Sequence, residues 1–309
     1  MLFPADFMTR LEYLSLMSRR VFRGQLLAQR RTRETGAGIE FADHREYAAG
    51  DDLRYLDWNI YARHGDLLIR RFQEEQDLHV YLLLDCSRSM SFENGSKFDL
   101  ARQVAAALAY IALADLDCTA LFAFSAGITA RLPLTRGREQ ILPIMRFLES
   151  LTACGSSTGL TQGVAEFLHL RPRPGLVIMI SDLFDPGGIE QPFDLLRFRG
   201  FDVHAIQIFH ELEARPQLVG DAQLVDLESG SETRITVTEQ QLADYHQLFT
   251  AHQTAVRNYC RRYGLGCTQS PASSSFDALV MTMMNSSAGD QADSRSIPLP
   301  RFPSNSQRT

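Results

Sequence analysis

Side chains that carry oxygen atoms cluster at three places where the chain would leave a buried strand or enter a helix. These places are an Asp-x-Ser-x-Ser motif after the apolar residues 78–84, a small-residue loop at 155–159, and a Ser-Asp pair after the apolar residues 176–180. The candidate ligands in them are Asp85, Ser87, Ser89, Thr158 and Asp182. Carboxylate and hydroxyl oxygens, with no need for His or Cys, suit a hard cation such as Mg²⁺ or Mn²⁺. The sequence therefore predicts a magnesium or manganese site, provided that the fold brings these residues together.

Hydroxyl groups are weak, neutral ligands, so an ion held in this way would keep bound waters and a net positive charge. It would attract an acidic group from another molecule, which makes the predicted site a docking point. The alternative is that Asp85 caps a helix and that the hydroxyls are ordinary N-caps. The position of the motif directly after a predicted strand favours the metal site. Cys86, inside the motif, is expected to point into the core.

The elements that would position these residues begin at residue 78, where apolar runs start to alternate with helical patterns. The predicted strands are residues 78–84, 118–124, 128–132, 176–180, 203–209 and 264–268. The predicted helices are residues 97–114, 139–148, 160–168, 189–198 and 276–284, and a helix from a capping box at Thr238 to about residue 262. Strands separated by crossover helices predict an α/β fold with a doubly wound, mostly parallel sheet and helices on both faces. Ligands bind such sheets at the carboxyl ends of the strands, where the strand order reverses.

Composition divides the chain into three parts. Residues 1–76 are an N-terminal helical and irregular extension, which consists of a basic helix and the GDD-DW segment (residues 37–76), dense in charged and aromatic side chains. Residues 77–284 are the predicted α/β domain. Residues 285–309 hold six Ser and three Pro with little apolar periodicity, which predicts a disordered tail.

The basic N-terminal helix has two interpretations. Its arginines would suit anionic lipid or RNA, which would give a peripheral membrane contact. These arginines are Arg19, Arg20, Arg23, Arg30, Arg31 and Arg33. A solvated helix face, with the apolar side that includes Leu11 and Leu14 packed on the domain, is the more common arrangement and is favoured.

The GDD-DW segment also has two interpretations. Its acids are close enough in sequence to suggest a second cation site, but arginines alternate with them. The residues concerned are Asp51, Asp52, Asp57, Arg45, Arg54 and Arg63. Mixed charges favour an ion-paired structural element packed on the domain, and Trp58 is expected to be buried there.

Composition also limits the class of protein. With 31 Lys and Arg against 37 Asp and Glu, the net charge of −6 argues against a specific nucleic-acid binder. Five cysteines without a CxxC pair indicate a reduced, intracellular protein. The longest apolar run, residues 104–114, is too short to cross a bilayer, and no secretory signal is visible. We therefore expect a cytoplasmic protein.

The candidate ligands resemble the metal-ion-dependent adhesion site of von Willebrand factor A-type domains. In that family the Ser and Thr hydroxyls bind Mg²⁺ directly, and the two Asp act largely through water. The resemblance implies that Ser87, Ser89 and Thr158 are direct ligands and that the two aspartates hold waters. Arg88 departs from the pattern, because a small residue is expected there. This arginine would either repel the metal or help to clamp an acidic partner.

The segment upstream of the motif narrows the resemblance. Residues 41–58 read FADHREYAAGDDLRYLDW, and residues 70–75 read RRFQEE. Both resemble the signature of domain-of-unknown-function family 58, and the resemblance covers about residues 10–284. Members of that family are associated with MoxR-type AAA+ ATPases as adaptors or co-chaperones that assemble or activate other proteins. The resemblance implies a bacterial, non-enzymatic interaction module whose metal meets an acidic residue of the ATPase or of a client protein.

An enzyme is the alternative, in the form of a Mg²⁺-dependent phosphohydrolase with Asp85 as its nucleophile. Haloacid-dehalogenase-type phosphatases also place an Asp after the first strand, but a second Asp two residues later acts as their acid and base. Here that position is Ser87, a poor proton donor, and Lys97, the only lysine, has no clear catalytic context in the sequence. No Walker-type GxxxxGK[ST] motif is present, so nucleotide hydrolysis would come from a partner.

Overall fold

The computed structural model describes residues 2–17, 40–48, 51–73, 78–115, 117–153, 159–217, 220–225 and 232–289. The strands in these ranges are β1 (Glu40–Glu46), β2 (Leu68–Gln73), β3 (His79–Asp85), β4 (Cys118–Phe124), β5 (Ile128–Thr135), β6 (Leu176–Ser181), β7 (Asp202–Phe209), β8 (Gly220–Val225), β9 (Glu232–Val237) and β10 (Gly266–Pro271). The helices are α1 (residues 7–17), α2 (Trp58–His64), α3 (Phe92–Ala114), α4 (Ile141–Ser150), α5 (Leu160–His169), α6 (Glu190–Phe198), α7 (Glu211–Ala214), α8 (Glu239–Arg262) and α9 (Phe276–Gly289).

Within the described residues, six strands form one central sheet in the order β10-β7-β6-β3-β4-β5. β5 pairs antiparallel with β4, and the other neighbouring strands are parallel. The chain enters this sheet at β3, moves outward through β4 and β5, returns to β6 on the other side of β3, and continues outward through β7 and β10. The strand order therefore reverses between β3 and β6. This topology confirms the predicted doubly wound, mostly parallel sheet.

Apolar side chains cover both faces of the sheet. Along β3, Val80, Leu82 and Leu84 enter a first core together with residues of α3, α4 and α9. Tyr81 and Leu83 enter a second core on the opposite face, together with residues of α5, α6 and α8. Side chains alternate along a strand, so a strand buried on both faces needs an uninterrupted apolar run. The helices thus lie on both faces of the sheet, as predicted.

Helix α1 belongs to the first core rather than to a separate extension. Phe7, Leu11 and Leu14 are at most 1% exposed. The ring of Phe7 lies 4.6 Å from the ring of Phe276 in α9. The apolar side of this helix is therefore packed on the domain, as the favoured interpretation requires. The six arginines behind the membrane interpretation lie outside the described residues.

The acids of the GDD-DW segment are paired with its own arginines. The segment contains β1 and β2, an antiparallel pair that the sequence analysis does not predict. Arg45 donates to Asp51 at 2.5 Å, and Arg54 donates to Asp52 at 2.6 Å. Hydrogen bonds from these arginines are the largest cause of a lowered pKa at both carboxyl groups. The pairing agrees with a structural role for these acids rather than with a second cation site.

Trp58 is exposed, so the prediction that it is buried is wrong. It is the first residue of α2, and its relative exposure is 58%. Asp57 caps this helix by accepting hydrogen bonds from two of its backbone N–H groups, and it also contacts His44 of β1 at 3.0 Å. Asp57 therefore faces β1, whereas Trp58 projects from the start of the helix and makes an edge-to-face contact with Tyr61, with ring centroids 6.1 Å apart.

Several element boundaries also differ from the prediction. The last helix, α9, continues to Gly289 instead of ending at residue 284, and the rest of the predicted tail lies outside the described residues. β10 starts two residues later than predicted. The antiparallel pair β8 and β9 is not predicted, because its strands contain few apolar residues. Among the described helices, none combines the length and the apolar character that a membrane span needs.

The packing of α1 leads to a test with two aromatic residues. Phe7→Ala should destabilise the protein by about 3–5 kcal/mol, because it empties a buried aromatic position. Trp58→Ala should change the free energy of unfolding by less than about 1 kcal/mol, since most of that ring is already in water. Urea unfolding followed by circular dichroism measures both. A loss for Phe7→Ala as small as the one expected for Trp58→Ala would mean that α1 is not part of the core.

Candidate metal site

Asp85 and Asp182 lie beside each other where the strand order reverses. Asp85 is the last residue of β3, and Asp182 follows directly after Ser181, the last residue of β6. The two strands are parallel neighbours, with Leu84 opposite Ile180. Both strands therefore end at the same edge of the sheet, which is the edge where the sequence analysis places the site.

The carboxylate of Asp85 is fully buried and hydrogen-bonded through both of its oxygens. The backbone N–H of Ser87 donates to Oδ1 at 2.8 Å, and the hydroxyl of Ser181 donates to Oδ2 at 2.6 Å. Burial, and after it the negative charge of Asp182, raise the pKa of Asp85 to about 7. A second negative charge at this position is thus unfavourable unless a cation balances it.

Ser87 and Ser89 turn their hydroxyl groups toward each other. Their Oγ atoms are 3.0 Å apart, and Ser87 is fully buried. Ser87 stands at the N-cap position of the 3₁₀ turn Arg88–Ser91, but its hydroxyl makes no capping hydrogen bond. The capping alternative therefore does not explain this residue. Cys86 is buried in the first core, as expected, and Arg88 is exposed.

The second carboxylate, Asp182, contacts a lysine that the sequence analysis did not place in the site. Lys97 Nζ donates to Asp182 Oδ2 at 3.0 Å and to Glu213 Oε1 at 2.5 Å. Lys97 and Asp182 are both fully buried. The backbone N–H of Phe184 donates to the other oxygen of Asp182 at 3.2 Å. An ammonium group is therefore already present next to one of the predicted metal-binding carboxylates.

Composition contained a signal for this lysine. Lys97 is the only lysine among the 31 Lys and Arg residues of the chain. A chain that uses arginine everywhere else retains a compact ammonium at one position, and a buried charge needs a dedicated partner. The sequence alone does not show which acids pair with Lys97, because Asp182 and Glu213 lie far along the chain, after β6 and β7.

An interruption in α3 precedes Lys97. Glu93, Asn94 and Gly95 have φ angles of 45°, 59° and 76°, in the left-handed region. Residues with a side chain adopt this conformation at a cost of on the order of 1–3 kcal/mol each, and they keep it only where the surrounding structure holds them. The regular part of α3 therefore begins immediately before Lys97, which explains why the apolar pattern predicts a helix from that residue.

Thr158 lies outside the described residues, so its place in the site is not described. The end of its loop is anchored at the expected edge of the sheet. Gly159 donates its backbone N–H to the carbonyl of Ser125, just after β4, at 2.9 Å. Leu160 donates to the carboxylate of Asp185, shortly after β6, at 2.7 Å.

The donor set fits a hard divalent cation. A buried carboxylate and two hydroxyls that face each other supply the oxygen ligands that such ions prefer. No group of three or more His, Cys, Asp or Glu side chains in the described ranges could hold a metal, so hydroxyls would have to contribute. An ion held by Asp85, Ser87 and Ser89 would be bound weakly, because hydroxyls are neutral and because Lys97 already balances Asp182.

The fold and the site define a doubly wound α/β domain with carboxylates and hydroxyls at its switch point. Residues 43–255 match the family model described as Protein of unknown function DUF58. The chain belongs to this family, which confirms the resemblance of its signature run.

The similar proteins include two mycobacterial relatives and two solved structures. The uncharacterized proteins Rv1480 of Mycobacterium tuberculosis (strain ATCC 25618 / H37Rv) and Mb1516 of Mycobacterium bovis are each 28% identical over 234 residues, which is 74% of this chain and 73% of the relative. The conserved hypothetical protein BatB from Bacteroides thetaiotaomicron has a TM-score of 0.42 at 15% identity, over 70% of this chain and 99% of that chain. Proximal thread matrix protein 1 from the mussel byssus, with a zinc-occupied MIDAS motif, has a TM-score of 0.40 at 14% identity, over 68% of this chain and 47% of that chain.

The buried carboxyl group of Asp85 predicts a specific dependence of stability on pH. In metal-free protein, the folded state keeps the Asp85 proton up to about pH 7, whereas the unfolded chain releases it near its ordinary pKa of 3.8. This proton stabilises the folded state fully below the unfolded-state pKa of 3.8, and that stabilisation is lost as the pH rises to about 7. Over this interval the free energy of unfolding falls by up to about 1.4 kcal/mol per pH unit. Asp85→Asn stays neutral, so its stability relative to wild type should rise over this interval and then level off. Urea unfolding in EDTA across this range measures the difference, and parallel curves for the two proteins would contradict the account.

Proposed function

We propose that this protein is a non-enzymatic, metal-dependent protein-interaction module. Its ion, Mg²⁺ or Mn²⁺, would be held by Asp85, Ser87, Ser89, Thr158 and Asp182. The observation that carries the proposal is the pair of hydroxyls of Ser87 and Ser89, 3.0 Å apart, next to the buried carboxylate of Asp85 at the switch point. The Ser87 hydroxyl makes no capping hydrogen bond, and both hydroxyls suit an oxygen-ligated cation.

The proposed residues have two different roles at the ion. Ser87, Ser89 and Thr158 would bind the ion directly with neutral oxygens, and the two aspartates would hold its waters. The ion, when bound, supplies a partly uncompensated positive charge. That charge would attract an acidic side chain of another protein, and this side chain would complete the site.

A MoxR-type AAA+ ATPase, or a client protein of one, is the partner we propose. Membership of DUF58 supports this assignment through the association stated for the resembled family. The absence of a Walker-type GxxxxGK[ST] motif from the sequence also supports it, since this chain would rely on another protein for ATP hydrolysis. The protein would act in the cytoplasm as an adaptor or co-chaperone in assembling or activating other proteins.

The geometry of Asp85 argues against the phosphohydrolase alternative. A nucleophilic carboxylate needs an oxygen that can approach phosphorus, but both oxygens of Asp85 accept hydrogen bonds and the group is fully buried. Ser87 remains a poor proton donor at the position where the acid and base is expected. Lys97 does lie in the site, yet its ammonium contacts Asp182 and Glu213 rather than Asp85.

Replacing Asp85 tests the proposed function directly. Asp85→Ala should weaken Mn²⁺ binding at least tenfold and abolish metal-dependent partner binding, because the ion loses its buried carboxylate. Above about pH 7, where Asp85 is ionised in the metal-free wild type, the domain should stay folded with an equal or slightly higher melting temperature in EDTA, since the repulsion with Asp182 disappears. The measurements are calorimetric titration with Mn²⁺ and affinity purification of the tagged chain in Mg²⁺ and in EDTA.

Asp221→Ala, which removes an exposed carboxylate of the β8–β9 pair, is the matched control and should behave like wild type. Early melting of Asp85→Ala, or partner recovery at the wild-type level, would make Asp85 a structural residue. Mg²⁺-dependent phosphatase turnover that disappears in Asp85→Ala would favour the enzyme instead.

A further inference from the structure

Lys97 is a fully buried ammonium whose contacts are acids from two other parts of the fold. Its Nζ atom lies 3.0 Å from Asp182, directly after β6, and 2.5 Å from Glu213 in α7, shortly after β7. A buried ammonium is unfavourable unless it is paired and hydrogen-bonded, and removal of one partner leaves an uncompensated charge. The position is thus built around a positive charge.

The acid on the far side of Lys97 is held in place by the backbone. Glu213 forms a capping box with His210, in which the backbone N–H of His210 donates to Glu213 Oε2 at 2.8 Å. The other oxygen, Oε1, accepts from Lys97. The aromatic ring of Phe92 lies 5.9 Å from the ammonium, with its edge against His210. Lys97 therefore points at Asp182 from a fixed position.

We propose that Lys97 is the resident cation of the candidate metal site, and that its ammonium and a divalent ion compete for the negative charge of Asp182. This inference rests on the metal site of the proposed function and adds the residue that sets its affinity. Lys97 would keep the site intact without metal and would also keep the affinity for metal low. Lys97 is in this sense a positioning residue, since it acts on the ion through Asp182.

The charges of these groups predict whether each substitution raises or lowers the affinity for a divalent ion. The carboxylates of Asp182 and Glu213 contact the ammonium, and the carboxyl group of Asp85 lies close enough to Asp182 to feel its charge. With all four groups ionised, the formal charge is −2, which a divalent ion would neutralise. Removal of the ammonium leaves −3 and strengthens the attraction for a cation, whereas removal of the Glu213 charge leaves −1 and weakens it. The two substitutions are therefore expected to act in opposite directions.

Lys97→Met is the main variant, because it keeps a long, unbranched side chain and removes the ammonium with its charge and its hydrogen-bond donors. In EDTA its melting temperature should fall by several degrees, since Asp182 and Glu213 lose their shared partner. Millimolar Mn²⁺ should restore most of that loss, and calorimetric titration should show Mn²⁺ binding at least tenfold tighter than in wild type. Arg102→Met is the matched control, because it removes another paired cation of α3, the partner of Asp99. Its melting temperature should respond to Mn²⁺ as wild type does.

Glu213→Gln is the second variant, and it keeps the proposal testable if Lys97→Met does not fold. Its affinity for Mn²⁺ should be several-fold weaker than that of wild type, because the ammonium is then balanced by Asp182 alone. Unchanged or tighter binding in Glu213→Gln would overturn the proposal, as would Lys97→Met with no gain in affinity and no rescue by Mn²⁺.

These outcomes separate this inference from the proposed function. If Lys97→Met binds Mn²⁺ and wild type does not, Lys97 is the resident cation and metal-dependent docking by the natural protein is wrong. If wild type binds Mn²⁺ and Lys97→Met gains nothing, the metal site stands and the competition is wrong.

Discussion

Asp85 and Asp182 are both fully buried at the ends of adjacent parallel strands, where two negative charges repel each other in a medium of low polarity. The surrounding contacts follow from the need to balance that charge. Asp85 accepts hydrogen bonds from Ser87 and Ser181 and holds its proton up to about pH 7, and Asp182 accepts a hydrogen bond from the ammonium of Lys97. In the proposed function a divalent cation would balance the pair instead, with the hydroxyls of Ser87 and Ser89 as neutral ligands.

The topology of the central sheet explains why the two buried carboxylates lie together at this point. β3 and β6 are the neighbours between which the strand order reverses, so the helices that follow them lie on opposite faces of the sheet. Sheets of this kind bind ligands at such a point. The apolar layers on both faces exclude water from the strand ends. By contrast, the run that resembles the DUF58 signature lies in the GDD-DW segment, where Asp51 and Asp52 are paired with their own arginines. The family match over residues 43–255 covers most of this segment as well as the candidate residues Asp85 and Asp182.

Much of the central domain follows from the sequence, for reasons that are local. β4 is predicted with its observed ends, since an apolar run between polar turns is sufficient to define a buried strand. Asp85 and Asp182 are found because each directly follows such a strand. Features that depend on tertiary contacts are missed. β1 and β2 have no clear alternation of apolar and polar residues that would predict their pairing. Trp58 is exposed because Asp57 directs the start of α2. Lys97 meets its acids only after three segments distant in sequence have folded together.

The central proposal is a divalent ion bound beside the two serine hydroxyls. Its most direct test is the location of Mn²⁺ by anomalous diffraction in crystals of the full chain grown with millimolar Mn²⁺. The account predicts an anomalous peak within bonding distance of the hydroxyls of Ser87 and Ser89, next to the carboxylate of Asp85. A well-ordered crystal with no peak there, in which the hydroxyls of Ser87 and Ser89 remain hydrogen-bonded to each other, would contradict this prediction.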